Sequence, residues 1–102
     1  MELSRVDLLK HLLEQDPTSL LARYGLAMEY VNAGQLENAV AEFDKVLTTN
    51  PGYSAAYFHG GQTLEKLGRL NEARLWYRRG VDRTPDAHAR AELQAALDIL
   101  GD

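Results

Sequence analysis

Gly34-Gln35-Leu36-Glu37-Asn38-Ala39 comes back as Gly68-Arg69-Leu70-Asn71-Glu72-Ala73, 34 residues further on. The same offset relates Phe43 to Tyr77, Leu47 to Val81 and Ala22 to Ala56. It also spaces Pro17, Pro51 and Pro85, which are all the prolines in the chain. A fixed period of this length marks a stack of repeated supersecondary units, each burying its apolar face against the next.

Outward from that stretch the apolar pattern is helical. Over 2–15, Leu3, Val6, Leu9 and Leu13 share a stripe that Leu8 and Leu12 widen. A second helix is expected over 18–32 with Leu26, Ala27 and Tyr30 inward. A third over 36–49 buries Leu36, Ala39, Val40, Phe43, Val46 and Leu47. A fourth is expected over 53–66. A fifth over 70–83 carries Leu70, Ala73, Trp76, Tyr77 and Val81. The last, over 86–100, turns Ala89, Leu93, Ala96, Leu97 and Leu100 inward and Arg90, Glu92, Gln94 and Asp98 outward.

The breaks have local causes. Gly34 and Gly68 sit where a left-handed residue can satisfy the last carbonyls of a helix. In Asp16-Pro17, Asn50-Pro51 and Thr84-Pro85, proline bars the preceding residue from the α region, so a helix must stop there. Proline is tolerated in a first turn, so Asp16 is expected to cap the following helix. Gly60-Gly61 in mid-helix costs about 1 kcal/mol per glycine relative to alanine. The pair reads as a weak point or as room for something to come close. No stretch alternates as a strand would.

Composition narrows the function. The chain has 102 residues, enough for one domain, with 45% hydrophobic and 25% charged residues. It has no cysteine, which excludes disulfides and thiol chemistry and suits a cytoplasmic address. The net charge of −4 disfavours nucleic acid. The balance is uneven, with eight acids and four bases in 1–51 and seven of each in 52–102. No apolar run has transmembrane length and no signal-peptide pattern opens the chain, so no membrane partner is expected. His11, His59 and His88 fall on three helices with no carboxylate at a telling spacing, so no metal site, cofactor or enzyme activity is expected.

In these residues the chain resembles the tetratricopeptide repeat family, whose 34-residue helix–turn–helix unit keeps set residues at set places. Two units run over about 20–53 and 54–87. The small mid-helix residue is Ala27, then Gly61. The large residue after it is Tyr30, then Leu64. The turn glycine is Gly34, then Gly68; the crossing alanine is Ala39, then Ala73; the aromatic is Phe43, then Tyr77; the closing proline is Pro51, then Pro85. Two departures stand out. Arg23 holds the place taken by Tyr57 in the second unit, and Gly60 stands where Leu26 does in the first.

The resemblance implies an all-α, right-handed α-α superhelix with a flanking helix at each end, six helices in one domain over 1–102. It also implies an interaction module or adaptor whose first helices line a concave groove holding a peptide or amphipathic helix. Mapped onto this chain, the groove positions are Tyr24, Met28, Val31 and Asn32, then Phe58, His59, Gln62, Glu65 and Lys66, with Tyr53 at the rim. Tyr24 and Phe58 could equally pack between helices. The family's carboxylate-holding subtype uses cationic residues where this chain has Tyr24, Met28, Phe58 and Gln62, so an apolar or amphipathic segment is expected instead. Two other surfaces compete. Arg69, Arg74, Arg78, Arg79 and Arg83 could bind an acidic partner, but read better as a solvated face with local partners such as Asp82. Leu3, Leu8 and Leu12 on the open side of the first helix would make a homodimer contact.

Overall fold

The computed structural model describes residues 3–101. Six helices follow one another: α1 Arg5–Gln15, α2 Leu20–Asn32, α3 Leu36–Thr49, α4 Ser54–Lys66, α5 Leu70–Arg83 and α6 Ala87–Leu100. There is no strand among the described residues. Each helix packs on its sequence neighbour, and α4 also touches α6.

The glycine turns close the hairpins as the sequence expects. Gly34 and Gly68 both take φ 76°. After Gly34, the Gln35 N–H reaches Tyr30 O at 2.8 Å and the Gly34 N–H reaches Val31 O at 3.0 Å. After Gly68, the Arg69 and Gly68 N–H groups reach Leu64 O and Glu65 O, both at 2.9 Å. Each pair satisfies carbonyls that a helix end otherwise leaves bare.

The proline junctions differ from expectation. Asp16 does not cap α2; it closes α1, and its Oδ1 accepts from the Thr18 N–H at 3.1 Å and the Thr18 hydroxyl at 2.6 Å. That side-chain turn uses up two residues, so α2 starts at Leu20 rather than 18, capped by Ser19 Oγ on the Ala22 N–H at 3.2 Å. Asn50 Oδ1 makes the matching turn to the Gly52 N–H at 3.1 Å, and α4 starts at Ser54 rather than 53. Asp86 caps α6 from outside it, so that helix starts at 87. α1 starts at Arg5 behind the Ser4 cap; Leu3 and Ser4 precede it, and residue 2 lies outside the described residues.

Each proline also offers its carbonyl. Pro51 O accepts from the Tyr57 hydroxyl at 2.6 Å, Pro17 O from Arg23 Nη2 at 3.4 Å and Pro85 O from Arg90 Nη1 at 3.4 Å. Arg23 therefore does in the first unit what Tyr57 does in the second, which accounts for its departure from the family pattern. Its Nη1 also binds Glu42 Oε2 on α3 at 2.8 Å.

Ala39, Phe43, Ala73 and Tyr77 are all fully buried where the helices cross. The second unit goes further. A Cβ on Gly60 would lie 2.2 Å from Trp76 Cζ3, and one on Gly61 would lie 2.3 Å from Tyr77 Cε1. The glycine pair is thus the seat of two α5 rings. In the first unit the corresponding positions hold Leu26 and Glu42, so bulk has moved from one helix to the other.

Gly60→Ala tests this seat. Helix propensity alone would raise stability by about 1 kcal/mol. Displacing a buried indole costs about 1–3 kcal/mol, so urea unfolding should show a net loss. A higher midpoint would show that Trp76 is free to move aside.

Candidate functional site

The groove candidates fall in two clusters. Tyr24, half-buried on α2, is packed by rings from two other elements: Phe43 of α3 at 5.9 Å between centroids and Tyr53, just before α4, at 5.5 Å. His59 of α4 is 6.2 Å away and meets Phe58 edge-on at 5.5 Å. Met28 and Val31 are half-buried and lean on the core. This cluster joins the two units and still leaves ring surface open.

The second cluster is a cleft of about 410 Å³ lined by Phe58, Gln62 and Glu65 of α4, Tyr77 of α5, and Glu92, Ala95, Ala96 and Ile99 of α6. Ile99 is 88% exposed at its edge. A smaller, separate cleft of about 140 Å³ shares Phe58 and Glu92 with it and is also lined by His59 and Ala89. The Tyr77 hydroxyl donates to the Glu65 carboxylate on the cleft wall. Burial, and then the Glu65 carboxylate, push the Tyr77 hydroxyl above the ordinary tyrosine range, so it stays a donor. Asn32 and Lys66 are exposed at the ends of α2 and α4 and line neither cleft.

The α6 share of the cleft was not among the sequence candidates. The signal was present, because Glu92, Ala96 and Ile99 lie 34 residues beyond Phe58, Gln62 and Glu65. The histidine reading also needs correction: His88 Nε2 lies 2.9 Å from Glu92 Oε1 one turn on, and His11 Nδ1 lies 3.9 Å from Glu14. Among the described residues no cluster of three or more His, Asp or Glu side chains is gathered to share a metal ion.

The arginines at the start of α5 and along it have several uses. Arg69 bridges the units, binding Glu37 at 2.9 Å and Glu72 at 2.6 Å. Arg74 Nε donates to Gly101 O at 2.6 Å and ties down the end of α6. Arg79 and Arg83 line a separate cleft of about 320 Å³ with Asp44, Tyr57 and Trp76.

Comparison with known proteins agrees with this geometry. A family model described as tetratricopeptide repeat matches residues 24–88. The chain belongs to the tetratricopeptide repeat family. A tetratricopeptide repeat domain protein from Salinibacter ruber superposes with a TM-score of 0.78 at 30% identity in its solution structure, over 83% of this chain and 89% of that one. A crystal structure of such a domain from the same organism gives 0.73 at 28% identity, over 80% and 96%. An uncharacterised protein of Methanocaldococcus jannaschii is 38% identical over 57% of this chain and 67% of its own. The tetratricopeptide repeat and J domain-containing co-chaperone DNJ1 of Fusarium oxysporum is 30% identical over 62% of this chain. Its counterpart in Cryptococcus neoformans is 29% identical over 85% of this chain. The aligned parts make up 12% and 16% of those two co-chaperones. As a tetratricopeptide repeat, the chain is an all-α superhelix of a family of protein-interaction modules. No helix among the described residues is long and apolar enough to cross a membrane.

Burial lowers the His59 pKa below 6.5, partly offset by a hydrogen bond that the ring donates to the Gln62 side chain. The unfolded chain then binds the extra proton first, so stability falls as pH drops below 6.5 and levels off below the folded-state value. His59→Gln should flatten that part of the profile in unfolding titrations between about pH 7.5 and 5.5. An unchanged slope would assign it to other groups.

Proposed function

We propose that the face made by α2, α4 and α6 holds a protein segment, and that the chain acts as an adaptor with no catalysis of its own. The observation that carries this reading is the pair of adjoining clefts between α4 and α6, which share Phe58 and Glu92 in their linings, with Ile99 exposed beside the larger. Apolar surface of that kind with polar groups at its margin suits a partner's anchoring side chains. Tyr24, Met28 and Tyr53 extend the face toward α2, Gln62 belongs to the larger cleft, and Asn32 and Lys66 lie exposed at the ends of α2 and α4. An extended peptide or an amphipathic helix is the expected occupant.

A second reading rests on α1. Leu8 and Leu12 are 47% and 43% exposed. The positions 34 residues on, Glu42 and Val46, are covered within their own unit. A second copy meeting this surface would bury them.

Affinity capture with the native chain and with Phe58→Ala separates the two readings. Loss of a partner of about tenfold in affinity, with helix content intact, supports the cleft. Unchanged capture overturns it. Sedimentation of the native chain and of Leu8→Glu tests the second reading: a dimer lost in the variant supports it, and a monomer at all concentrations overturns it.

A further inference from the structure

The ionisable side chains of the α4–α6 face are sorted by charge. The larger cleft is lined by two carboxylates, Glu65 and Glu92, and the smaller one shares Glu92. None of the chain's eleven lysines and arginines lines either cleft. Guanidinium groups gather instead beside α3, where Arg79 and Arg83 line the separate cleft. The remaining lining of the larger cleft is largely apolar, with Phe58 and Ala96 part-buried and Ala95 and Ile99 exposed at its margin.

The lining is also low. Ala55 and Ala89 line one end, and Ala95 and Ala96 the other. Small side chains allow another helix to approach to about 8–10 Å between axes. The two clefts run along α4 from Ser54 to Glu65, which at 1.5 Å per residue is about 16 Å, three helical turns. A largely apolar path three turns long, with Glu65 on the α4 side and Glu92 on the α6 side, is complementary to one kind of partner. We infer that this face selects an amphipathic helix of about three turns whose apolar stripe is flanked by lysine or arginine.

The inference rests on the reading of the α4–α6 face as a binding surface, and the test separates the two. Two synthetic peptides of about 16 residues would share one leucine stripe at helical spacing. One carries lysine beside the stripe and the other glutamate. Each is titrated into the full chain by ¹⁵N–¹H correlation spectroscopy. The lysine peptide should shift the amides of Phe58, Gln62, Glu65, Glu92 and Ile99 and bind at least about tenfold more tightly than the glutamate peptide, with the gap narrowing at high salt. The variant Glu65→Gln/Glu92→Gln keeps an acceptor for Tyr77 and for His88 and should shrink the gap to about threefold or less. Glu37→Gln/Glu72→Gln, on the Arg69 side, should leave it unchanged. If both peptides bind equally through the same amides, charge selection is overturned and the binding face stands. If the gap survives Glu65→Gln/Glu92→Gln, those carboxylates are not its source and the inference falls. If neither peptide shifts these amides, the binding face falls with it.

Discussion

The fold depends on how closely α4 and α5 can approach. Removing two side chains from the middle of a helix costs backbone entropy, and the compensation is two large rings buried in the space released. Trp76 and Tyr77 then do more than fill volume. Tyr77 reaches across to Glu65 on the cleft wall, and Trp76 helps to line the cleft on the α3 side. The same contact that closes the core therefore sets the walls of clefts on two faces. In the first unit, Ala39 and Phe43 make the crossing with Leu26 kept on α2, and an ion pair, Arg23 with Glu42, takes the place of the indole.

The turns and core were plain in the sequence. Gly34 and Gly68 had a position that required positive φ, and Ala39, Phe43, Ala73 and Tyr77 recurred in register. What was hidden depended on pairings across space. Nothing local to Gly60 names Trp76 as its occupant. Nothing local to Arg23 says that its guanidinium will serve the carbonyl of Pro17 as a tyrosine hydroxyl serves that of Pro51. Helices α2 and α4 begin later than proline position alone predicts, because the Asp16 and Asn50 side chains fold back on residues 18 and 52 before the helix begins. The site was half legible. The family resemblance places Phe58, Gln62 and Glu65 on the groove side of α4, but of their period-related partners the helical pattern puts Ala96 on the inward stripe of α6, puts Glu92 on the polar side and gives Ile99 no role. Alanine and glutamate at those places carry little apolar signal by themselves, and only the facing wall of α4 makes them part of a cleft.

Charge gives the molecule two different sides although its net charge is small. Arg69 spans Glu37 and Glu72 and so ties the first turn of α3 to the first turn of α5. Arg74 fastens the end of α6 through a backbone carbonyl. With those cations committed along α5, carboxylates remain along the α4–α6 walls. The half-buried ring cluster of Tyr24, Tyr53 and His59 lies between the units on the same side, where it is both packing and surface.

The exchange of bulk between the units limits how such a chain can be rearranged. Moving only α4 into the first unit would set Gly60 opposite Glu42 and leave a void. Moving only α2 into the second would drive Leu26 into Trp76. Either hybrid loses a buried ring or gains a collision, whereas moving α4 and α5 together carries the fit along. The heritable unit of duplication or shuffling in this chain is therefore the matched helix pair, and a single helix is not a transferable part.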